Sequence, residues 1–134
     1  MKPLIINAKE DTPKIVLDTD LDEFIISGRS LPEDAHDFYK PLFEWLLEYV
    51  KKPKPVTTFR FELEYYNTSS SKQLSKLFLI LKEFPAKVRI LWYYHHDDID
   101  MLENGKRYAK LTGLDFTMIS IPAVEDDSFE IVIN

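Results

Sequence analysis

The densest run of side chains able to accept a chemical group is Asn67-Thr68-Ser69-Ser70-Ser71-Lys72. A hydroxyl just ahead of a helix can be phosphorylated, and the phosphate then gains from the helix dipole and the free N–H groups of the first turn. Lys72 stands where it can pair with that phosphate, and Asn67 adjoins it. Modification adds about −1.5 to −2 units of charge, enough to repel a bound partner without unfolding the domain. The same residues also suit plain capping. Ser70-Ser71-Lys72-Gln73 has the form of a capping box with Ser70 as N-cap, and a polar run before a helix is ordinary turn chemistry. On the residues alone both readings stand.

Other constellations carry less. Ser69-Ser70-Ser71-Lys72 matches S-x-x-K, the nucleophile motif of penicillin-binding enzymes. Its companions S-D-N and K-T-G are missing, Lys110-Leu111-Thr112-Gly113 being interrupted, and G-x-S-x-G does not occur. A hydrolase built on Ser69 and Lys72 is therefore disfavoured. His95-His96-Asp97-Asp98 invites a metal, but adjacent residues leaving a strand point apart and fit one zinc ion poorly. The expectation is a strand end followed by an acidic helix cap. Asp18-Thr19-Asp20-Leu21-Asp22 opens like a calcium loop, yet Glu23 stands where an EF-hand needs glycine and Arg29 where it needs a bidentate glutamate. A hairpin turn is expected there. His36 stands alone.

Composition narrows the classes. The chain has 134 residues, 45% of them hydrophobic and 30% charged, which suits one globular domain over residues 1–134. A net charge of −6 argues against nucleic-acid binding. There is no cysteine, which excludes disulfides, thiol catalysis and cysteine-bound metals. Three glycines cannot make a phosphate-cradling G-x-G-x-x-G loop. With no apolar run long enough for a signal peptide or a membrane span, the expectation is a cytoplasmic domain without membrane attachment. Nothing in the chain calls for a cofactor or a metal.

The elements that must position the hydroxyl run follow from periodicity. Leu4–Ile6, Ile15–Leu17 and Phe24–Ile26 read as strands, the last two joined as a hairpin. Ser30-Leu31-Pro32-Glu33 predicts an N-cap at Ser30 for a helix whose apolar face runs from Ala35 to Val50. Pro41 inside it predicts a kink or a second helix start. Thr57–Tyr66 alternates as the clearest strand, and a helix to about Glu83 follows with Leu74, Leu77, Phe78 and Leu81 inward. A strand over Lys87–Tyr94, a helix to about Leu111 closed by Gly113, and a strand over Phe116–Ile121 complete the pattern. Phe129–Ile133 is expected as an edge strand or a packed tail. Right-handed crossovers then predict an α/β fold with a mixed, mostly parallel β-sheet and helices packed against it. The hydroxyl run falls at the open end of that sheet, where such folds keep their sites.

Four apolar residues lie off or widen the inner helix stripes: Leu79 and Ile80 on the second helix, Trp45 and Leu47 on the first. They are either flanking core contacts or a partner-binding surface. A small-ligand-sensing binding domain, with a pocket near Asn67, Tyr66 and His95, is the alternative to a switch.

Three blocks carry a family likeness: Ile26-Ser27-Gly28-Arg29-Ser30-Leu31-Pro32-Glu33, then Phe38-Tyr39-Lys40-Pro41-Leu42-Phe43-Glu44-Trp45-Leu46, then Leu63-Glu64-Tyr65-Tyr66-Asn67-Thr68-Ser69-Ser70-Ser71-Lys72. In this order they resemble the SiaC family of bacterial regulatory phosphoproteins, over nearly the whole chain. The resemblance implies a divergent anti-sigma-factor-antagonist (STAS-like) fold. It implies a threonine phosphorylated by a dedicated protein kinase and dephosphorylated by a PP2C-type phosphatase. It also implies an unphosphorylated form that binds and activates a diguanylate cyclase, linking the switch to cyclic-di-GMP and biofilm formation. The matching acceptor is Thr68, with Ser69, Ser70 and Ser71 as substitutes. The implied protein is a regulator, not an enzyme.

Overall fold

The computed structural model describes residues 1–123. Along them run β1 (Leu4–Ile6), β2 (Lys14–Asp18), β3 (Glu23–Ser30), α1 (Ala35–Tyr49), β4 (Val56–Tyr66), α2 (Thr68–Lys82), β5 (Lys87–His95), α3 (Ile99–Thr112) and β6 (Asp115–Ile121). The edge strand expected over Phe129–Ile133 lies outside the described residues.

The strands pair in chain order within one six-stranded sheet. β1, β2 and β3 are antiparallel to one another, while β3 to β6 run parallel. This is the mixed, mostly parallel α/β sheet that the sequence predicts. Each parallel crossover steps to the next neighbour in the same direction, so all three helices share one face, α1 against α2 and α2 against α3. Strand alternation follows from that one-sided cover. Phe59, Phe61 and Leu63 of β4 are buried beneath the helices, whereas Arg60 and Glu62 point to the uncovered face and pair there. The β2–β3 hairpin forms as expected. Asp18 Oδ1 accepts from the N–H groups of Asp20 at 3.0 Å and Leu21 at 3.2 Å, and Asp22 takes the left-handed backbone at φ 55°.

Three local expectations are corrected. β3 does not stop at Ile26. Gly28 adopts φ 101°, a conformation open to glycine, and the register with β4 shifts between Gly28 and Arg29. The bulge prolongs the strand, so Ser30 is the buried last residue of β3 and not a helix cap. Asp34 caps α1 instead, its Oδ1 accepting from Asp37 N–H at 3.0 Å. Nor does Pro41 divide the helix: α1 is continuous from Ala35 to Tyr49. The carbonyl deprived of its donor is that of Asp37, and both Asp37 and Pro41 are exposed, so water can replace the lost bond.

Aromatic packing joins sheet and helices. Trp92 of β5 lies beneath α3, donating from Nε1 to the Met101 carbonyl at 2.9 Å. Gly105 makes that approach possible, since a Cβ there would come within 2.4 Å of Trp92 Cδ1. Gly113 ends α3 at φ 72°, the left-handed cap predicted from its position.

Candidate functional site

The start of α2 lies at the carboxyl end of β4, and its four hydroxyls meet four different fates. Asn67, not Ser70, is the N-cap: its Oδ1 accepts from Ser70 N–H at 2.9 Å and from Ser69 Oγ at 3.1 Å. An asparagine reaches the orphan donors of the first turn without itself entering the helix. The capping role expected at Ser70 is thus displaced three residues back. Thr68 becomes the first helical residue, exposed to solvent. Ser69 is exposed beside it.

Ser70 is turned inward and fully buried. Its Oγ donates to the Ser30 carbonyl at 3.0 Å, an assignment fixed because a carbonyl only accepts. The Ser30 hydroxyl must then donate to Ser70 Oγ at 2.8 Å, and Tyr39 Oη must donate to Ser30 Oγ at 2.6 Å. The Ser30 carbonyl also takes the Asn67 N–H at 3.0 Å. Asn67 and Ser70, on either side of the Thr68–Ser69 pair, are therefore both tied to the last residue of β3. Burial pushes the Tyr39 phenol up to about 12, although the Ser30 and Ser70 hydroxyls oppose the shift. Ser71 is half-buried, its Oγ 3.1 Å from Tyr108 Oη of α3. Lys72, one turn beyond Thr68 on the same face, is exposed.

Ser30 and Tyr39, which with Ser70 form a buried clasp on the start of α2, and Tyr108, which meets Ser71, escape a reading of the sequence. Ser30 and Ser70 are 40 residues apart, and the only local hint, a buried-looking Tyr39 on the inner stripe of α1, does not say what its hydroxyl meets.

The apolar candidates separate. Trp45 is a correction: it is 9% exposed, stacked on Tyr49 with ring centres 5.2 Å apart and donating from Nε1 to the Lys2 carbonyl at 2.9 Å. It belongs to the core, not to a partner surface. Ile80 is half-buried and packs against the core. Leu79 is 59% exposed, as are Leu47 at 57% and, on α3, Leu111 at 71%. Leu111 is an addition that its place near the helix end concealed.

A cleft of about 470 Å³ lies between the end of β4 and the start of α3. Glu64, Tyr66, Asp98, Asp100, Glu103 and Arg107 are among its lining residues, but Asn67 and His95 are not. The ligand pocket expected around Asn67, Tyr66 and His95 is thus not assembled as such, and the lining would repel an anionic ligand. Burial first, and the Tyr108 phenol second, push the Tyr66 phenol strongly upward. His95 ends β5, His96 N–H donates to the Ile121 carbonyl at 2.9 Å, and Asp98 caps α3 by accepting from Met101 N–H at 3.0 Å. Among the described residues, no helix is long and apolar enough to cross a membrane.

Comparison with known proteins agrees with this geometry. The chain superimposes on a crystal structure of apo-SiaC from Pseudomonas aeruginosa with a TM-score of 0.80 and 22% identity, covering 89% of this chain and 99% of that one. A second structure of SiaC from that organism gives 0.82 and 21%, covering 90% and 100%. A crystal structure of the diguanylate cyclase SiaD in complex with its activator SiaC, again from Pseudomonas aeruginosa, gives 0.82 and 21%, covering 88% and 99%. These likenesses establish the shared fold. No curated protein sequence matches the chain significantly. The family model described as SiaC family regulatory phosphoprotein matches residues 6–121. The chain accordingly belongs to the SiaC family of regulatory phosphoproteins.

Proposed function

We propose that this chain is a phosphorylation-controlled partner-switch protein with Thr68 as phosphoacceptor. Unphosphorylated, it binds and activates an effector, a diguanylate cyclase. A dedicated protein kinase phosphorylates Thr68 and releases the effector, and a PP2C-type phosphatase restores binding. The chain itself catalyses nothing and works in the cytoplasm.

One observation carries this reading. Thr68 is an exposed first helical residue in a turn whose neighbours on both sides are anchored to Ser30. A phosphate at that point meets N–H groups that no helical carbonyl can reach, and it favours the positive end of the dipole. The clasp keeps the turn in place, so the modification changes surface charge and leaves the fold alone. Ser69 is the exposed substitute. Ser70 and Ser71 are occupied in the clasp and against Tyr108, and a phosphate on Ser70 has no room. Support for a cyclase as effector comes from the SiaC–SiaD complex, whose SiaC shares this fold.

The test is calorimetric binding to the diguanylate cyclase of the same cells. Thr68→Ala should bind like the unmodified chain and Thr68→Asp about tenfold or more weakly, equivalent to about 1.4 kcal/mol. Equal binding by the two variants overturns the proposal.

A further inference from the structure

In a chain of net charge −6, helix α2 carries three lysines and no acidic residue between Thr68 and Lys82. Lys72, Lys76 and Lys82 are all exposed, and Thr68, Lys72 and Lys76 succeed one another at four-residue intervals on one stripe. Lys76 is steadied, its Nζ 4.6 Å from the centre of the Phe43 ring of α1. Leu79 continues the stripe and forms a ridge between two apolar grooves. One, of about 420 Å³, runs between α1 and α2 and is lined by Leu47, Val50, Leu79 and Ile80, with Lys76 on its wall and the single carboxylate of Glu83 at the far end of α2 from Thr68. The other, of about 260 Å³, runs between α2 and α3 and includes Phe78 and Leu111. An apolar ridge with a groove on each side is the shape that takes the leucine face of a helix.

We propose that this surface of α2 docks an acidic amphipathic helix of the effector, a deepening that rests on the partner-switch reading above. The helix places its apolar side chains beside Leu79 and its carboxylates against Lys72 and Lys76. Charge complementarity selects an acidic partner, since the basic stripe stands out from an otherwise acidic chain. The arrangement also gives the direction of the switch. A phosphate on Thr68 sits one turn from Lys72, offsets the stripe's positive charge and faces the partner's carboxylates. Phosphorylation then weakens docking without moving the helix.

The experiment uses the full chain and two labelled helical peptides of about 20 residues. They share one leucine stripe, with glutamates on the polar face of one and lysines on that of the other. In fluorescence anisotropy the glutamate peptide should bind about tenfold or more tightly than the lysine peptide, and less tightly as salt rises. Lys72→Glu combined with Lys76→Glu should lose that preference, and Leu79→Glu should weaken both peptides. All these side chains are exposed, and unchanged circular dichroism verifies each fold. Binding of neither peptide, equal binding of both, or indifference to the lysine substitutions overturns the proposal. The two readings fail separately. A cyclase that distinguishes Thr68→Ala from Thr68→Asp but ignores the lysine substitutions retains the switch and removes this surface. A cyclase blind to Thr68, with the peptide results as expected, does the reverse.

Discussion

Placing a carboxylate at Ser70 and at Thr68 in turn separates the clasp from the acceptor. Ser70 is fully buried, and its hydroxyl makes two hydrogen bonds, both to Ser30. In Ser70→Asp the carboxylate faces the Ser30 carbonyl, acceptor against acceptor, and only the Ser30 hydroxyl can donate to it. Two hydrogen bonds at about 1 kcal/mol each are disturbed, and a charge is buried with no cation beside it. Breaking buried polar networks in this way costs about 3–5 kcal/mol. For a domain of this size that corresponds to a fall in Tm of about 10 °C or more. Ser70→Ala, which leaves the Ser30 hydroxyl without its acceptor, should cost about 1–2 kcal/mol. Thr68→Asp behaves oppositely. Its carboxylate is solvated at the positive end of α2 and should be neutral or stabilising by about 0.3–1 kcal/mol. Thermal and urea denaturation followed by circular dichroism measure all three. Ser70→Asp melting within about 2 °C of the unmodified chain would show that Ser70 is not clasped, and the structural case for Thr68 over Ser70 would collapse.

Two further outcomes follow from the core. The Tyr39 phenol, pushed up to about 12 by burial, ionises later in the native state than in the unfolded chain. Between pH about 10 and about 12 the unfolded state therefore binds fewer protons, and stability falls as pH rises through that window, by about 1.4 kcal/mol at pH about 11. Tyr39→Phe should be less stable at pH 8 but lose about that much less between pH 8 and pH 11 in urea titrations, and an unchanged loss would refute the assignment. Gly105→Ala should destabilise by about 1–3 kcal/mol, because its Cβ meets Trp92 at 2.4 Å, although alanine is favoured over glycine in a helix by about 1 kcal/mol. A more stable variant in urea denaturation would show that Trp92 can yield.

What was legible in the sequence is what strand and helix periodicity encode. Phe59, Phe61 and Leu63 alternating with Arg60 and Glu62 marked the central strand and its buried face, and the order of elements predicted the mostly parallel sheet. Local motifs misled where a distant contact decides. Ser30-Leu31-Pro32-Glu33 has the letters of a capping box, but the bulge at Gly28 holds Ser30 in β3 and turns its hydroxyl toward Tyr39 and Ser70. Ser70-Ser71-Lys72-Gln73 fits the same motif, yet Asn67 caps first, and the helix starting at Thr68 carries Ser70 to the inside. Trp45 lies on a stripe too wide to assign from spacing. Only contact with Tyr49 and the Lys2 carbonyl shows that it is core. The hydroxyl run was visible as a candidate, whereas its division into exposed and clasped members depends on elements 40 residues apart.

Which hydroxyl carries the phosphate is decided by fragment-mass analysis of the protein isolated from its native cells. A single phosphate on Thr68 is the expected result. Phosphate on Ser70, or none under any growth condition, would contradict it.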